Sequence, residues 1–318
     1  MQSLQHMLTL DGITPQELER LFASALAMKR ARAAGKAAVP LLAGKTVALL
    51  FEKPSLRTRV SFEVAVRELG GGSLYLSPQE VGLGAREAVR DVARVLSGYV
   101  HAVVIRTFRH HVVEEFARWA AIPVINGLTD AHHPCQGLTD VFTIAEQLGA
   151  PAGRTLAYVG DGNNVAHSLL QAAVKAGMRV RIATPEGYEP DPAVLAAASG
   201  EAGATGASVT LLHDPHEAAA GADVLYTDVW ASMGQEAEAA ARRAIFAPYQ
   251  VNAALLACAA PHAVVLHPLP AHRDEEITDE VLDGPQSRVF VQAENRLHVQ
   301  KAILRALLAA DTRMSRSA

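Results

Sequence analysis

Short β-branched apolar runs alternate along this chain with longer helical stretches, and that alternation restricts it to few folds. "TVALLF" (46–51), "HAVVIR" (101–106) and "IPVIN" (122–126) come first. Between and after them lie stretches with helical character: Thr58–Leu69, Glu87–Ser97, His111–Ala120 and Gln136–Leu148. Strands alternating with helices predict a parallel sheet with helical crossovers. The Gly/Pro-rich "LGAPAGR" (148–154) interrupts the pattern, which then restarts with "TLAYVG", "RVRIATP", "SVTLLH", "DVLYTDV", "AVVLHPLP" and "RVFVQ". The reading is therefore α/β, with two doubly wound parallel-sheet domains. Residues 1–149 form one, 150–295 the other, and 296–318 a C-terminal helix packing back on the first. That helix is expected from about His298 to Ala310. Near the start, "TPQE" predicts a helix capped by Thr14, with Pro15 in its first turn and Glu17 completing a capping box.

Ligands of open α/β sheets sit at the carboxyl ends of strands, and the polar clusters here fall at such ends. "EKPSLRTR", "RTF" and "NGLTDAHHPCQ" follow strands of the first half; "GDGNN", "DVWASMG" and "HPLPAHR" follow strands of the second. Six polar strand exits in two domains predict an interdomain active-site cleft.

"FEKPSLRTR" (51–59) carries the most chemistry. Ser55 to Arg59 can open a helix whose first N–H groups have no internal partner and favour an anion. Ser55 and Thr58 add hydroxyls, and Arg57 offers a planar fork suited to phosphate oxygens. A capped helix with solvated arginines fits this stretch about as well. Arg106, directly after an apolar strand, favours the anion site, because two such arginines can share one anion. Arg59 is read as a structural ion pair. In "HHPCQ", His133 can donate to a carbonyl oxygen and Gln136 can accept from an amide. Phosphate donors, carbonyl donors and an amide acceptor together describe carbamoyl phosphate.

On these residues the sequence resembles the ornithine carbamoyltransferases of the aspartate/ornithine carbamoyltransferase family. "FEKPSLRTR", "HPCQ", "GDGNN", "DVWASMG", "HPLPAHR" and "AENR" stand in the family's order over nearly the whole chain. The resemblance implies transfer of a carbamoyl group from carbamoyl phosphate to the side-chain amine of L-ornithine, giving L-citrulline and phosphate. It implies no cofactor, and a homotrimer or multiple of trimers. By position, Ser55, Leu56, Arg57 and Thr58 match the phosphate-binding helix start, with Leu56 acting through its N–H where many relatives have Thr. Arg106 matches the arginine bridging phosphate and carbonyl oxygen, and His133 and Gln136 those orienting the carbamoyl group. Pro268 and Leu269 belong to the turn whose carbonyls hold its NH₂, and Arg296 to a late arginine reaching back. Arg106, His133 and Thr58 are the catalytic set implied. Asn164, Asp228, Ser232 and Met233 match the ornithine site, with Asp228 for the α-ammonium and Asn164 for the α-carboxylate.

Two departures stand out. The family usually writes "HCLP" where this chain has "HPLP" (267–270), so Pro268 removes a thiol beside ornithine. In "VGLGARE" (81–87), Gly82 and Ala85 stand where relatives often carry a Gln and an Arg reaching a neighbouring subunit's phosphate; Arg86 is the substitute on offer.

Other readings are weaker. An aspartate carbamoyltransferase needs a basic cluster for a dicarboxylate, whereas "TDVWASMGQEAEAA" is acidic. An N-acylated ornithine lacks the free α-ammonium that Asp228 suits. "GDGNNVAHS" begins a dinucleotide G-x-G pattern, but Val165 stands at the third glycine's place. Cys135 with His133 offers a cysteine hydrolase, though a packing cysteine is the commoner case. His110, His111, His132 and His133 lack the spacing of a metal site, so no metal is expected. A non-catalytic ornithine or carbamoyl-phosphate sensor could discard the carbonyl-polarising groups, all of which remain.

Bulk properties agree. The 318 residues suffice for two domains; they are 50% apolar and 19% charged, with net charge −4. Neither nucleic acid nor a membrane is expected as partner. Two cysteines suit a reducing cytoplasm. The N-terminal residues lack a basic start followed by an apolar core, so no signal peptide is expected.

Overall fold

The computed structural model describes residues 5–232 and 236–309. The chain divides into two compact units, Met1–Cys135 with Arg296–Ala318, and Gln136–Asn295.

In the first unit, β1 (Thr46–Phe51), β2 (Gly72–Leu76), β3 (Ala102–Arg106) and β4 (Val124–Leu128) form a sheet ordered β2-β1-β3-β4, every pair parallel. Val47–Phe51 and Ala102–Ile105 are almost wholly buried, which explains their uninterrupted apolar runs. β2 escaped the sequence reading: "GSLYL" lies at the sheet edge, partly exposed along its length, and carries no long apolar run. The helix Pro15–Ala33 begins as expected. Glu17 N–H donates to Thr14 Oγ1 at 3.2 Å, and Thr14 N–H to Glu17 Oε2 at 2.9 Å.

In the second unit, β5 (Thr155–Val159), β6 (Arg179–Ala183), β7 (Ser208–Leu212), β8 (Val224–Tyr226) and β9 (Val264–Leu266) are ordered β7-β6-β5-β8-β9, again all parallel. Each sheet therefore has one point where the winding reverses, between β1 and β3 in the first and between β5 and β8 in the second. The crevice outside the carboxyl ends of strands at such a point is where open α/β sheets bind ligands.

One sequence expectation changes. "RVFVQ" is not a strand: it opens the helix Val289–Leu308, nine residues before the helix start expected near His298. Val289 and Gln292 are fully buried and Phe290 is 61% exposed, so burial repeats every three residues rather than every two. The β-branched composition suggested a strand, and tertiary burial overrode it. The helix Pro134–Leu148 counts with the second compact unit from Gln136 onward. Asp140 accepts hydrogen bonds from Tyr226 Oη (3.0 Å) and Gln292 Nε2 (2.6 Å), and Asn295 Nδ2 donates to Thr143 Oγ1 at 3.0 Å. The Gly/Pro break is a turn into β5, where Arg154 Nη2 donates to the Leu148 carbonyl at 2.8 Å.

Gly137 lets that helix approach Asn164–Lys175. A Cβ on it would lie 2.4 Å from the Ser168 carbonyl oxygen, and helix backbone cannot yield cheaply. Gly137→Ala is expected to cost at least about 1–3 kcal/mol through overpacking. The urea midpoint of the purified variant checks this.

Candidate functional site

At the first reversal point, Ser55 ends the loop after β1 in extended conformation and caps the helix Leu56–Glu68, its Oγ accepting from Thr58 N–H at 3.2 Å. The amides of Leu56 and Arg57, one turn earlier than any internal acceptor, point out of the helix start. Leu56 is 74% exposed, so its side chain takes no part in packing. Arg57 is half-buried, and burial lowers its pKa. Thr58 is fully buried and its Oγ1 accepts from Arg296 Nη2 at 2.6 Å.

Arg106, the last residue of β3, is 6% exposed. Its Nε is buried without a hydrogen-bond partner. Burial first, then the neighbouring charges of Arg296 and Arg57, pull its pKa down to about 10. His133 follows β4, fully enclosed; burial, then Arg296 and Arg106, hold its pKa well below the ordinary histidine range. It is therefore a neutral imidazole at neutral pH. Ser55, Arg57, Thr58, Arg106, His133 and Arg296 thus form one group around three guanidiniums whose charges act on one another.

The remaining basic residues nearby are engaged. Lys53 Nζ pairs with Asp130 at 2.5 Å and lies 4.3 Å from the Phe108 ring centroid. Arg59 pairs with Glu63 at 2.9 Å and stacks over Tyr75, the structural role expected of it. Arg86 donates to the Glu80 carbonyl at 3.2 Å in the exposed 82–88 loop. Gln136 lies in the second unit, with Nε2 donating to Asp140 Oδ1 at 2.7 Å; this fixes the amide and leaves its carbonyl on the other side.

At the second reversal point, β5 exits into "GDGNN" and β8 into "TDVW". Asn163 caps the helix Asn164–Lys175, accepting from Val165 N–H (2.9 Å) and Ala166 N–H (3.2 Å). Its Nδ2 donates to Asp228 Oδ2 at 2.8 Å. Asp228 is 6% exposed, and burial raises its pKa. Asn164 opens the helix beside this pair, and Ser232 lies four residues beyond Asp228. Met233 lies outside the described residues.

Three contributors were missed by the sequence reading. Asn163 orients the carboxylate of Asp228. Arg242 binds both exits: Nη1 lies 3.3 Å from Asp161 Oδ2 and donates to the Trp230 carbonyl at 2.9 Å. Glu276 is fully buried beneath the "HPLP" turn, its Oε1 3.0 Å from His267 Nε2. His267 Nδ1 accepts from Leu269 N–H at 2.9 Å, so the ring proton sits on Nε2 and goes to Glu276. Leu269 has φ +56°, and the Leu269–Pro270 peptide is cis. A buried acid one turn past a proline-rich motif has no sequence signature, which is why Glu276 went unseen.

Two rival chemistries lose their ground. Gly162 does not leave room for a pyrophosphate: its N–H donates to the Tyr188 carbonyl at 2.9 Å, and a Cβ there would lie 2.2 Å from Pro190 N. Cys135 is 1% exposed, and burial pushes its thiol up to about 12, far from a thiolate nucleophile.

Asp161 is pushed up to about 6, first by burial, despite Arg242. An unfolded aspartate titrates near 3.9, so the folded protein binds this proton more tightly. Its contribution favours folding at low pH and is lost as pH rises from about 4 through about 6. Between pH 4.5 and 7.5 the difference in stability between Asp161→Asn and the parent should therefore shift by about 2 kcal/mol towards the variant. Urea unfolding at both pH values measures it.

Comparison with known proteins gives a consistent picture. Residues 5–146 match the aspartate/ornithine carbamoyltransferase carbamoyl-P binding domain, and residues 152–307 the Asp/Orn binding domain of the same family. An ornithine carbamoyltransferase of Gloeobacter violaceus is 56% identical over 95% of each chain. That of Bacillus subtilis is 54% identical over 95% of this chain and 93% of its own. The structure of ornithine carbamoyltransferase from Pyrococcus furiosus superposes with a TM-score of 0.94 at 52% identity, over 97% of this chain and 99% of the other.

Proposed function

Because the chain belongs to the aspartate/ornithine carbamoyltransferase family, we propose that it transfers the carbamoyl group of carbamoyl phosphate to the side-chain amine of L-ornithine, releasing L-citrulline and phosphate. One observation carries the reading of the first substrate: Arg106, its Nε buried without a hydrogen-bond partner, stands among the charges of Arg57 and Arg296 beside a helix start. Like charges held together and partly buried call for an anion of more than one charge. Phosphate fits the planar guanidinium forks and the exposed amides of Leu56 and Arg57.

The rest follows from charge. The amine attacks the carbamoyl carbon, and negative charge grows on the carbonyl oxygen. Arg106 and the Thr58 hydroxyl stabilise it, with His133 as a third donor. A neutral imidazole suits that role, since it donates without adding a fourth cation to the cluster. Gln136, its amide nitrogen tied to Asp140, turns its carbonyl to accept from the carbamoyl NH₂, and the carbonyls of Pro268 and Leu269 are the other acceptors proposed. Arg57 and the helix start keep the departing phosphate. Asp228 receives the α-ammonium of ornithine; a cation there offsets the burial that raises its pKa. Asn164, Ser232 and Met233 complete the proposed amino-acid site. An acidic, not basic, exit from β8 favours ornithine over aspartate.

No helix among the described residues is long and apolar enough to cross a membrane. A cytoplasmic homotrimer, or a multiple of it, is the assembly proposed. The exposed Leu56, Val60 and Leu74 of the first unit give apolar surface for such contacts.

Citrulline formation with ornithine, aspartate and acetylornithine assayed in parallel tests the reaction; activity on aspartate alone would overturn it. Arg57→Ala should cost about 2–5 kcal/mol of carbamoyl-phosphate binding, roughly 30-fold to 4000-fold, in calorimetry of a folded protein. Asp228→Asn should weaken ornithine strongly and leave carbamoyl phosphate nearly untouched; equal losses for both would make Asp228 structural.

A further inference from the structure

The loop behind the "HPLP" turn contains a second group of ligating side chains. His272, Glu275 and Glu276 each present one atom, and these atoms lie within 4.8 Å of one another. The loop is closed on itself. Arg273 bridges Ile277, Asp274 N–H donates to the Ile277 carbonyl at 2.9 Å, and Glu275 N–H to the His272 carbonyl at 3.0 Å. Asp274 is held at φ +62°, a conformation costly for a non-glycine residue. The three side chains therefore project from a defined backbone.

Glu276 supplies the independent observation. Its side chain is 0% exposed, and its two oxygens have different fates. Oε1 is used twice, by His267 Nε2 at 3.0 Å and by the His272 amide at 2.6 Å. Oε2 is buried without a hydrogen-bond partner and faces His272 Nδ1 across 3.8 Å. A buried carboxylate oxygen left unsatisfied is costly and calls for a ligand, an ion or a water. Ligand atoms around zinc, at bonds of about 2.0–2.2 Å, stand about 3.5 Å apart. The His272–Glu276 spacing is already near that. Glu275, now 2.8 Å from Arg243 Nη2, is partly exposed and can turn or offer its second oxygen.

We propose that His272, Glu275 and Glu276 form a regulatory site for a divalent transition metal of the zinc class. One imidazole nitrogen with two carboxylates suits zinc or cobalt better than the all-oxygen sets of magnesium and calcium. Three protein ligands leave further positions to water. The ion acts on turnover through the other oxygen of the same carboxylate. Drawing Glu276 towards a metal at Oε2 loosens Oε1 from His267, and His267 holds the amide of Leu269. This second half rests on the proposed role of that turn in binding the carbamoyl group; the metal site itself does not.

The intact protein is titrated with cobalt(II), whose visible absorption reports a nitrogen- and oxygen-ligated site, and with zinc by calorimetry. Parent, His272→Ala and Glu275→Ala are compared. His272→Ala keeps the backbone amide that Glu276 uses, so its turnover without metal should match the parent. One zinc per chain should bind the parent, and each variant should bind at least tenfold more weakly. Zinc should slow citrulline formation by the parent and leave His272→Ala far less affected. No binding up to millimolar metal overturns the site and leaves Oε2 to a water. Equal affinity in all three proteins places the metal on other histidines and also overturns it. Zinc bound through His272 with unchanged turnover overturns the regulatory half. Cobalt binding needs no turnover, so a protein inactive on ornithine would still decide the first half.

Discussion

Three guanidiniums gathered at one helix start are the constraint around which the first unit is arranged. Arg57, Arg106 and Arg296 come from a helix start, a strand end and a second helix far apart in sequence, and burial first, then the charges of Arg296 and Arg57, bring Arg106 down to about 10. Burying like charges together opposes folding, and Arg106 gives up water with its Nε left without a hydrogen-bond partner. The cluster persists where the surroundings hold it: Arg106 is fixed by a sheet buried on both faces, and Arg296 is tied to the hydroxyl of Thr58. On the proposed reading, an arriving phosphate offsets that repulsion, and donors already held in place need not reorganise when charge develops.

The second unit reverses the sign. Asp161 and Asp228, both buried and both raised in pKa by burial, stand at the exits of the two strands flanking the winding reversal. Asn163 spans from one exit to the other, and Arg242 fastens Asp161 to the Trp230 carbonyl. One architecture, a parallel sheet whose order reverses once, thus carries polar strand exits of opposite charge in the two units. The polarity of each follows from the side chains at two strand ends rather than from the fold. This is why fold likeness alone says little about substrate. The acidic exit of β8 is the feature on which the proposed choice of ornithine over aspartate rests.

Most of this architecture could be read from residues. Fully buried parallel strands write long apolar runs, and ligand sites follow directly after them, so the phosphate helix, Arg106 and Asp228 stood out by position. What could not be read has physical causes. β2 is an edge strand with little to bury. "RVFVQ" has strand composition, but Gln292 is called inward by His267 and Asp140, and the resulting burial is helical. Asp140 and Thr143 are polar residues satisfied by partners from β8 and the last helix, a pairing of which the sequence carries no record. Arg242 and Glu276 act through carbonyls and imidazoles many residues away. A lone charged residue in a loop looks solvated until the fold buries it.

The turn at 267–270 shows how such supports free a position to vary. Where relatives of the family usually carry a cysteine, this chain has Pro268. The hydrogen bond from Leu269 N–H to His267 Nδ1 straddles residue 268, and the side-chain Oε1 of Gln292 accepts from the His267 amide on the near side. The residue between them is asked for neither an N–H nor a side-chain partner, and proline supplies neither. With His267 pinned by Glu276, the backbone carbonyls keep their aim whatever the side chain. The substitution therefore changes chemistry rather than shape. An alkyl amine has a pKa of about 10.4 in water, so at pH 7.5 roughly one ornithine in a thousand is ready to attack. A thiol beside it could share that titration, but proline cannot. In this chain no side chain at 268 can take the proton, so on the proposed reading it passes to solvent or to the departing phosphate, the carboxylate of Asp228 favouring the charged amine rather than removing its proton.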